Sequence, residues 1–253
     1  MRPLVIAHRG GAGLAPENTL AAFEAGLAAG ADGLEFDVRL SLDGEAVLMH
    51  DPTLERTTDG AGPVDRRTAA ELARLDAGCR FERDGAFPFA ARGIGVPSLK
   101  DVLGRHGAIS LILELKSPDA RLARAVVDEI RAAGAASRVT IGSFQKGALD
   151  AVRALDPAIR TGADTDDVRN GLDGRGDRPI FDAFQVPEVF AGRRVVTPEF
   201  IARAHAAGVV VMVWTVNLPD DMRRLLEWGV DGLITDRPDL AVPLVRDWYA
   251  GRT

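Results

Sequence analysis

Short apolar runs alternate with helix-patterned stretches along nearly the whole chain, and this alternation constrains the fold more than any other feature. Strand character is expected at 4–8, 33–38, 46–50, 111–116, 139–143, 159–163, 182–186, 209–215 and 232–235. Several of these runs are almost continuously apolar, the pattern of parallel strands covered on both faces. Helical patterning is expected at 18–29, 67–75, 98–106, 120–133, 145–154, 197–207, 219–228 and 238–249. Asn18 or Thr19 caps the first helix and Ser98 starts the third, while Gly30, Gly134, Gly208 and Gly229 stand just past helix ends. Strand–helix alternation implies a parallel sheet, and about eight repeats make a closed (β/α)8 barrel the economical α/β arrangement. Nine strand candidates are one too many; 159–163 is the weakest of them.

Two stretches break the rhythm. "VRLSLDGEA" leaves room only for an extended return between the second and third strands. Residues 51–110 are overlong for a connection, and their glycine-rich middle carries Phe81, Phe87 and Phe89. Long ordered loops in compact domains serve as binding loops or are tolerated surface insertions; both readings apply here. With 253 residues, 46% hydrophobic content and no evident linker, a single domain over 1–253 is expected.

Polar residues interrupt the apolar runs at the strands' C-terminal ends. Residues two apart in a strand share a face. In "GLEFDV" Glu35 and Asp37 therefore point one way and Leu34, Phe36 and Val38 the other. In "LILELK" the leucines 111, 113 and 115 oppose Ile112, Glu114 and Lys116. The leucine face packs under helices, so the charged face points into the barrel. His8 ends "LVIAH" and His50 ends "VLMH". Barrel enzymes place their active sites at this C-terminal rim.

A lone acid at a strand end is usually a helix cap or loop anchor, and Asp51, Asp59, Asp236 and Asp239 taken singly read that way. An inward trio differs. Two carboxylates about 4.5 Å apart repel by roughly 3–4 kcal/mol at an effective dielectric near 20, so three such pairs cost on the order of 10 kcal/mol. Lys116 offsets part of this. A hard divalent cation held by Glu35, Asp37 and Glu114 offsets it better. His8 and His50 adjoin the trio and titrate near neutrality, suiting two separate proton transfers. His106 and His205 read as structural. Arg9 offers a forked donor for phosphate oxygens. Arginine, lysine and a cation converging on one point describe a phosphate site.

The residues that carry this chemistry also carry a resemblance. "AHRGG…APENTLAAFEAGLAAGADGLEFDVRLSLDGEAVLMHDPTLERTTDGAG", followed by "VPSLKDVL", "LILELKS", "SFQKGAL", "VMVWTVN" and "GVDGLITDRPDL", resembles the glycerophosphodiester phosphodiesterase family. It covers essentially the whole chain, with Ser41 standing where threonine is frequent. The resemblance implies a TIM barrel with a small insertion after the third strand and one divalent cation, Mg2+ or Ca2+, on Glu35, Asp37 and Glu114. It also implies a catalytic pair, His8 and His50, with Arg9 and Lys116 near the phosphate and Trp214 as an apolar wall for glycerol or as simple core. Glycerophosphodiesters would then yield glycerol 3-phosphate and an alcohol, with water or the glycerol 2-hydroxyl as nucleophile. The competing readings are a lysophospholipase D-like activity, with Phe81, Phe87 and Phe89 as the acyl path, and a non-catalytic phosphate-ligand barrel. A metal amidohydrolase would need a His-x-His pair that "IAHRG" lacks.

A net charge of −6 and no basic stripe disfavour nucleic acid as a partner. "AAGVVVMVW" is too short to span a bilayer, so no stable membrane insertion is expected. A single cysteine, Cys79, and no apparent leader fit a cytoplasmic protein, although a mature secreted form has the same signature. The sequence is silent on oligomeric state.

Overall fold

The computed structural model describes residues 2–105, 107, 109–174 and 179–252. His106, expected at a helix end, lies outside the described residues. Eight parallel strands form the barrel: β1 (Leu4–Ala7), β2 (Gly33–Leu40), β4 (Ser110–Leu115), β5 (Val139–Gly142), β6 (Arg160–Thr161), β7 (Ala183–Pro187), β10 (Val210–Trp214) and β11 (Gly232–Thr235). Their order is β6-β5-β4-β2-β1-β11-β10-β7. The circle closes through a parallel bridge between Gly162 and Ala183. The chain is therefore a (β/α)8 TIM barrel.

The surplus strand is not the one the sequence marks as weakest. The short β3 (Ala46–Leu48) runs antiparallel to β2, pairing Leu48 with Val38. It is the 46–50 candidate, and its antiparallel pairing follows from the short extended return expected before it. The 159–163 run is a barrel strand, though only two residues long. Side chains complete its support: the Thr161 N–H donates to Asp182 Oδ2 at 3.0 Å and Arg153 donates to Thr161 Oγ1 at 3.0 Å.

The helices are α1 (Leu20–Ala28), α2 (Ala69–Leu72), α3 (Leu99–Arg105), α4 (Ala120–Ala132), α5 (Lys146–Leu155), α6 (Thr165–Asp173), α7 (Pro198–Ala206), α8 (Pro219–Trp228) and α9 (Pro238–Ala250). Thr19, rather than Asn18, caps α1 by accepting from the Ala22 N–H at 3.2 Å. The sequence reading missed α6 and the hairpin of β8 (Val189–Phe190) and β9 (Arg193–Arg194). Asp- and Gly-rich "ADTDDVRNGLDG" looks like loop, yet Asp164 and Asp167 form a reciprocal capping box at its start.

The two strand faces sort as their periodicity demands. Leu111, Leu113 and Leu115 are buried under α4 beside Leu122, Val126 and Val127. Ile112 faces inward with Ile6 and Ile234, forming the apolar floor of the barrel. Residues 51–110 carry a small core of their own, in which Leu54, Val64, Leu72 and Val96 pack on Val47 and Met49. Phe81 and Phe89 pack edge to face within this segment at 5.2 Å. Arg83 ties the segment to the loop after β1 by donating to the Leu14 carbonyl at 2.7 Å.

The turn after β1 is held open for its arginine by close packing. Arg9, Gly10 and Gly11 all have positive φ, at 49°, 87° and 104°. A Cβ on Gly10 would lie 2.3 Å from the Phe23 ring, and one on Gly26 of α1 would lie 2.4 Å from the Gly10 carbonyl oxygen. Gly26→Val is therefore expected to destabilise the fold by about 1–3 kcal/mol through overpacking and to displace the His8–Arg9 turn. Thermal unfolding and turnover measured on the variant would both fall; an unchanged melting temperature would contradict the packing.

Candidate active site

Two strands, β2 and β4, deliver three acids to one point. Asp37 and Glu114 are register partners on β2 and β4. Glu35, Asp37 and Glu114 each offer a carboxylate oxygen, and these oxygens lie within 4.8 Å of one another. Glu35 and Asp37 are buried; Glu114 is partly exposed.

Their environments differ. Burial dominates at Glu35, and with the nearby charges of Asp37 and Glu114 it pushes the carboxyl up to about 7 against the opposing pull of His8 and the Arg9 N–H. The Arg9 N–H donates to Glu35 Oε2 at 2.9 Å. Burial acts on Asp37 too, but Lys116, Arg9 and the Asn18 amide outweigh it and hold the carboxyl below its ordinary range. Lys116 Nζ lies 3.3 Å from Asp37 and 2.9 Å from Glu114, and Arg9 Nε lies 3.3 Å from Asp37. Asn18 donates its amide to Asp37 Oδ2 at 2.9 Å and accepts the Asp37 N–H at 3.1 Å. The donor set is all hard oxygen, tightly spaced and only partly neutralised by protein cations. It suits a Mg2+- or Ca2+-like ion.

Both histidines stand at this cluster, each held through Nδ1 by a carboxylate. His8 Nδ1 is 2.7 Å from Asp236 Oδ1, and its Nε2 is 3.9 Å from Glu35. Burial lowers the His8 pKa, but Glu35 and Asp236 together raise it above its usual value. Asp236 is fixed in turn by the Asn217 amide at 2.7 Å. His50 Nδ1 is 2.6 Å from Asp51 Oδ1. Asp51 is clamped by Arg56 at 2.5 Å, which drives its pKa far below the usual carboxylate range. Arg56 also grips Glu17 with both terminal nitrogens, and Glu17 accepts from Arg9 at 2.8 Å. A continuous chain of charge-assisted hydrogen bonds thus joins Arg9 to His50.

Asp51, Asp236, Glu17, Asn18, Arg56 and Asn217 are absent from the site as read from sequence. Adjacency was the available signal for Asp51, which follows His50 directly, and "ITDRP" places Asp236 at a strand end beside β1. Asp59 and Asp239 keep their bland roles, the first accepting the Asp76 N–H and the second pairing with Arg237. His205 pairs with Asp231 on the outer surface.

Beside the cluster opens a pocket of about 600 Å3. His8, Arg9, Glu35, His50, Glu114 and Lys116 form its polar end. Its other walls are Phe144, Val168, Leu172, Val186, Phe190 and Trp214. Trp214 meets Phe144 edge to face at 5.9 Å and also packs on the inner isoleucines, so it is both wall and core. Phe81, Phe87 and Phe89 do not line this pocket; the apolar surface comes instead from α6 and the β8–β9 hairpin. Phe81 packs on Phe89, Phe89 packs against the main barrel core, and Phe87 is half exposed.

Residues 8–240 match the sequence profile of the Glycerophosphoryl diester phosphodiesterase family. The chain is 33% identical to a glycerophosphodiester phosphodiesterase of Caldanaerobacter subterraneus subsp. tengcongensis, across 97% of this chain and 99% of that protein. It superimposes on a putative glycerophosphoryl diester phosphodiesterase from Silicibacter pomeroyi with a TM-score of 0.81 at 31% identity, covering 98% of this chain and 94% of that one. An Oleispira antarctica phosphodiesterase in complex with the product sn-glycerol-3-phosphate gives a TM-score of 0.78 at 28% identity, covering 96% and 97%. Barrel, rim and likeness together define a phosphoric diester hydrolase. The chain belongs to the glycerophosphoryl diester phosphodiesterase family. Among the described residues no helix is long and apolar enough to cross a membrane.

Proposed function

We propose that the protein hydrolyses glycerophosphodiesters to glycerol 3-phosphate and a free alcohol, with His8 and His50 as the proton-transfer pair. The observation that carries this reading is the pair of carboxylate-held imidazoles at one acidic cluster: His8 on Asp236 at 2.7 Å and His50 on Asp51 at 2.6 Å. With Nδ1 engaged in each ring, Nε2 is left to exchange a proton with an entering or leaving oxygen. Arg9 and Lys116 stand at the polar end of the pocket, where they attract the phosphate and stabilise charge on its non-bridging oxygens. Glu35, Asp37 and Glu114 would hold one divalent cation, which supplies Lewis-acid stabilisation of phosphoryl oxygen. The apolar floor and the aromatic pair Phe144–Trp214 exclude water from one side of the substrate.

A second reading has a specific observation behind it. Val168, Leu172, Val186 and Phe190 give the pocket an apolar wall beside Arg169 and Arg193, and Phe190 is more than half exposed. Such a wall accommodates the acyl chain of a lysophospholipid.

One assay tests both. Glycerophosphocholine and lysophosphatidylcholine are offered to the purified protein, with choline release followed with and without added Mg2+ or Ca2+. Cation-dependent release of choline and glycerol 3-phosphate from glycerophosphocholine is the expected result. Faster release from the lysolipid would move the assignment to the second reading. Release from neither, or release untouched by EDTA, would contradict both.

A further inference from the structure

One polar side chain in the pocket has no task in the chemistry above. Gln185, on β7, points into the barrel and lines the pocket across from β1 and β2. Its register partner on β10 is Met212, which belongs with the apolar floor. The amide nitrogen Nε2 is buried and has no hydrogen-bond partner. Space for the amide is provided by two glycines farther round the barrel, at the ends of β5 and β6. A Cβ on Gly142 of β5 or on Gly162 after β6 would each lie 2.8 Å from Gln185 Oε1.

An unsatisfied buried amide costs about 1–3 kcal/mol, a cost that leucine or methionine at this position would not carry. A glutamine kept here, with its amide lying over glycines at the ends of β5 and β6, is therefore explained by a polar group that it meets in the bound state. The position says which one. Gly142 is the register partner of the candidate cation ligand Glu114, so the amide lies over the strand that pairs with that ligand's strand. A glycerol unit whose phosphate met Arg9, Lys116 and the histidines would have its far end in the same pocket that Gln185 lines.

We infer that Gln185 is a specificity-determining residue that hydrogen-bonds the terminal hydroxyl of the substrate's glycerol unit. This rests on the glycerophosphodiester reading and names its polyol end. The amide carries an acceptor and donors, and rotation about its last side-chain bond exchanges them within the same volume. A hydroxyl, which both donates and accepts, is satisfied by either orientation. A phosphate oxygen, which only accepts, is met by one orientation alone.

The test compares two substrates on two proteins. One substrate is glycerophosphocholine; the other is its analogue with the terminal glycerol hydroxyl replaced by hydrogen and the 2-hydroxyl retained. The proteins are the wild type and Gln185→Leu, with Gln185→Met as a second variant should the first fold poorly. Removing Gln185 is expected to lower kcat/KM for glycerophosphocholine about ten- to a hundred-fold, mainly through KM. On the deoxy analogue, variant and wild type should agree within about two-fold. Equal losses on both substrates, or no loss on either, would overturn the inference while leaving the phosphodiesterase reading intact. A wild type that hydrolyses neither substrate would overturn both.

Discussion

Replacing His50 by alanine is expected to lower kcat by roughly 10²–10⁴-fold, the usual worth of a positioned general acid or base. The physical reason lies in how firmly the ring is prepared. Its Nδ1 is committed to Asp51, and Asp51 is kept ionised by Arg56, which is itself fixed by Glu17. A carboxylate held far below its ordinary pKa accepts a hydrogen bond throughout the working pH range, so one tautomer of His50 persists. Asp51→Asn keeps the shape but loses that charge, and a loss of about 10–100-fold is expected by analogy with carboxylates that orient metal-bound histidines. His8→Ala should match His50→Ala in size, because Asp236 and Asn217 prepare its ring in the same manner. Steady-state kinetics with the melting temperature as a folding control decides the matter. A His50→Ala enzyme retaining more than half its activity would remove that residue from the mechanism.

Glu35→Gln is expected to abolish turnover without weakening the metal-free fold. Outer-sphere changes at metal sites cost about 10–100-fold, so loss of a direct ligand should exceed about 100-fold. The stability effect runs the other way. In the unfolded chain Glu35 releases its proton near 4.5, whereas in the folded chain burial holds it until about 7. Between those values only the unfolded state has lost the proton. Metal-free stability therefore falls as pH rises through this window, by an amount on the order of 3 kcal/mol for this group alone. The glutamine variant lacks that loss. Melting curves of EDTA-treated protein from pH 4.5 to 8 should show the wild type declining relative to Glu35→Gln as pH rises. Added Mg2+ or Ca2+ should stabilise the wild type more at pH 8 than at pH 5 and leave the variant unmoved. A variant less stable than wild type at pH 8, or one still stabilised by the cation, would contradict the account.

Much of this was legible in the residue pattern, because strand periodicity decides which side chains meet. Alternation alone put Glu35 and Asp37 on the face shared with Glu114 and Lys116, and the leucines of β4 on the face beneath α4. What escaped detection depended on contacts between distant segments. Asp236 looks like an ordinary helix-preceding acid until β11 pairs with β1 and brings it to His8. Arg56 and Glu17 are 39 residues apart and meet only because the segment after β3 folds back over the β1 turn. α6 was hidden by its aspartates and glycines, whose capping role is visible only when the backbone is in place. The phenylalanines of the 51–110 segment misled for a related reason: Phe81 and Phe89 pack on each other and Phe89 on the barrel core, while the pocket takes its apolar wall from α6 and β8–β9.

The claim on which the rest depends is that one divalent cation is shared by acids from β2 and β4. A crystal of the protein grown with Ca2+ or Mn2+ and measured for anomalous scattering tests it directly. A single peak bonded to Glu35, Asp37 and Glu114, with oxygen distances of about 2.1–2.6 Å, is the predicted result. No peak among these carboxylates in an active, cation-dependent enzyme, or a peak bound elsewhere, would contradict it.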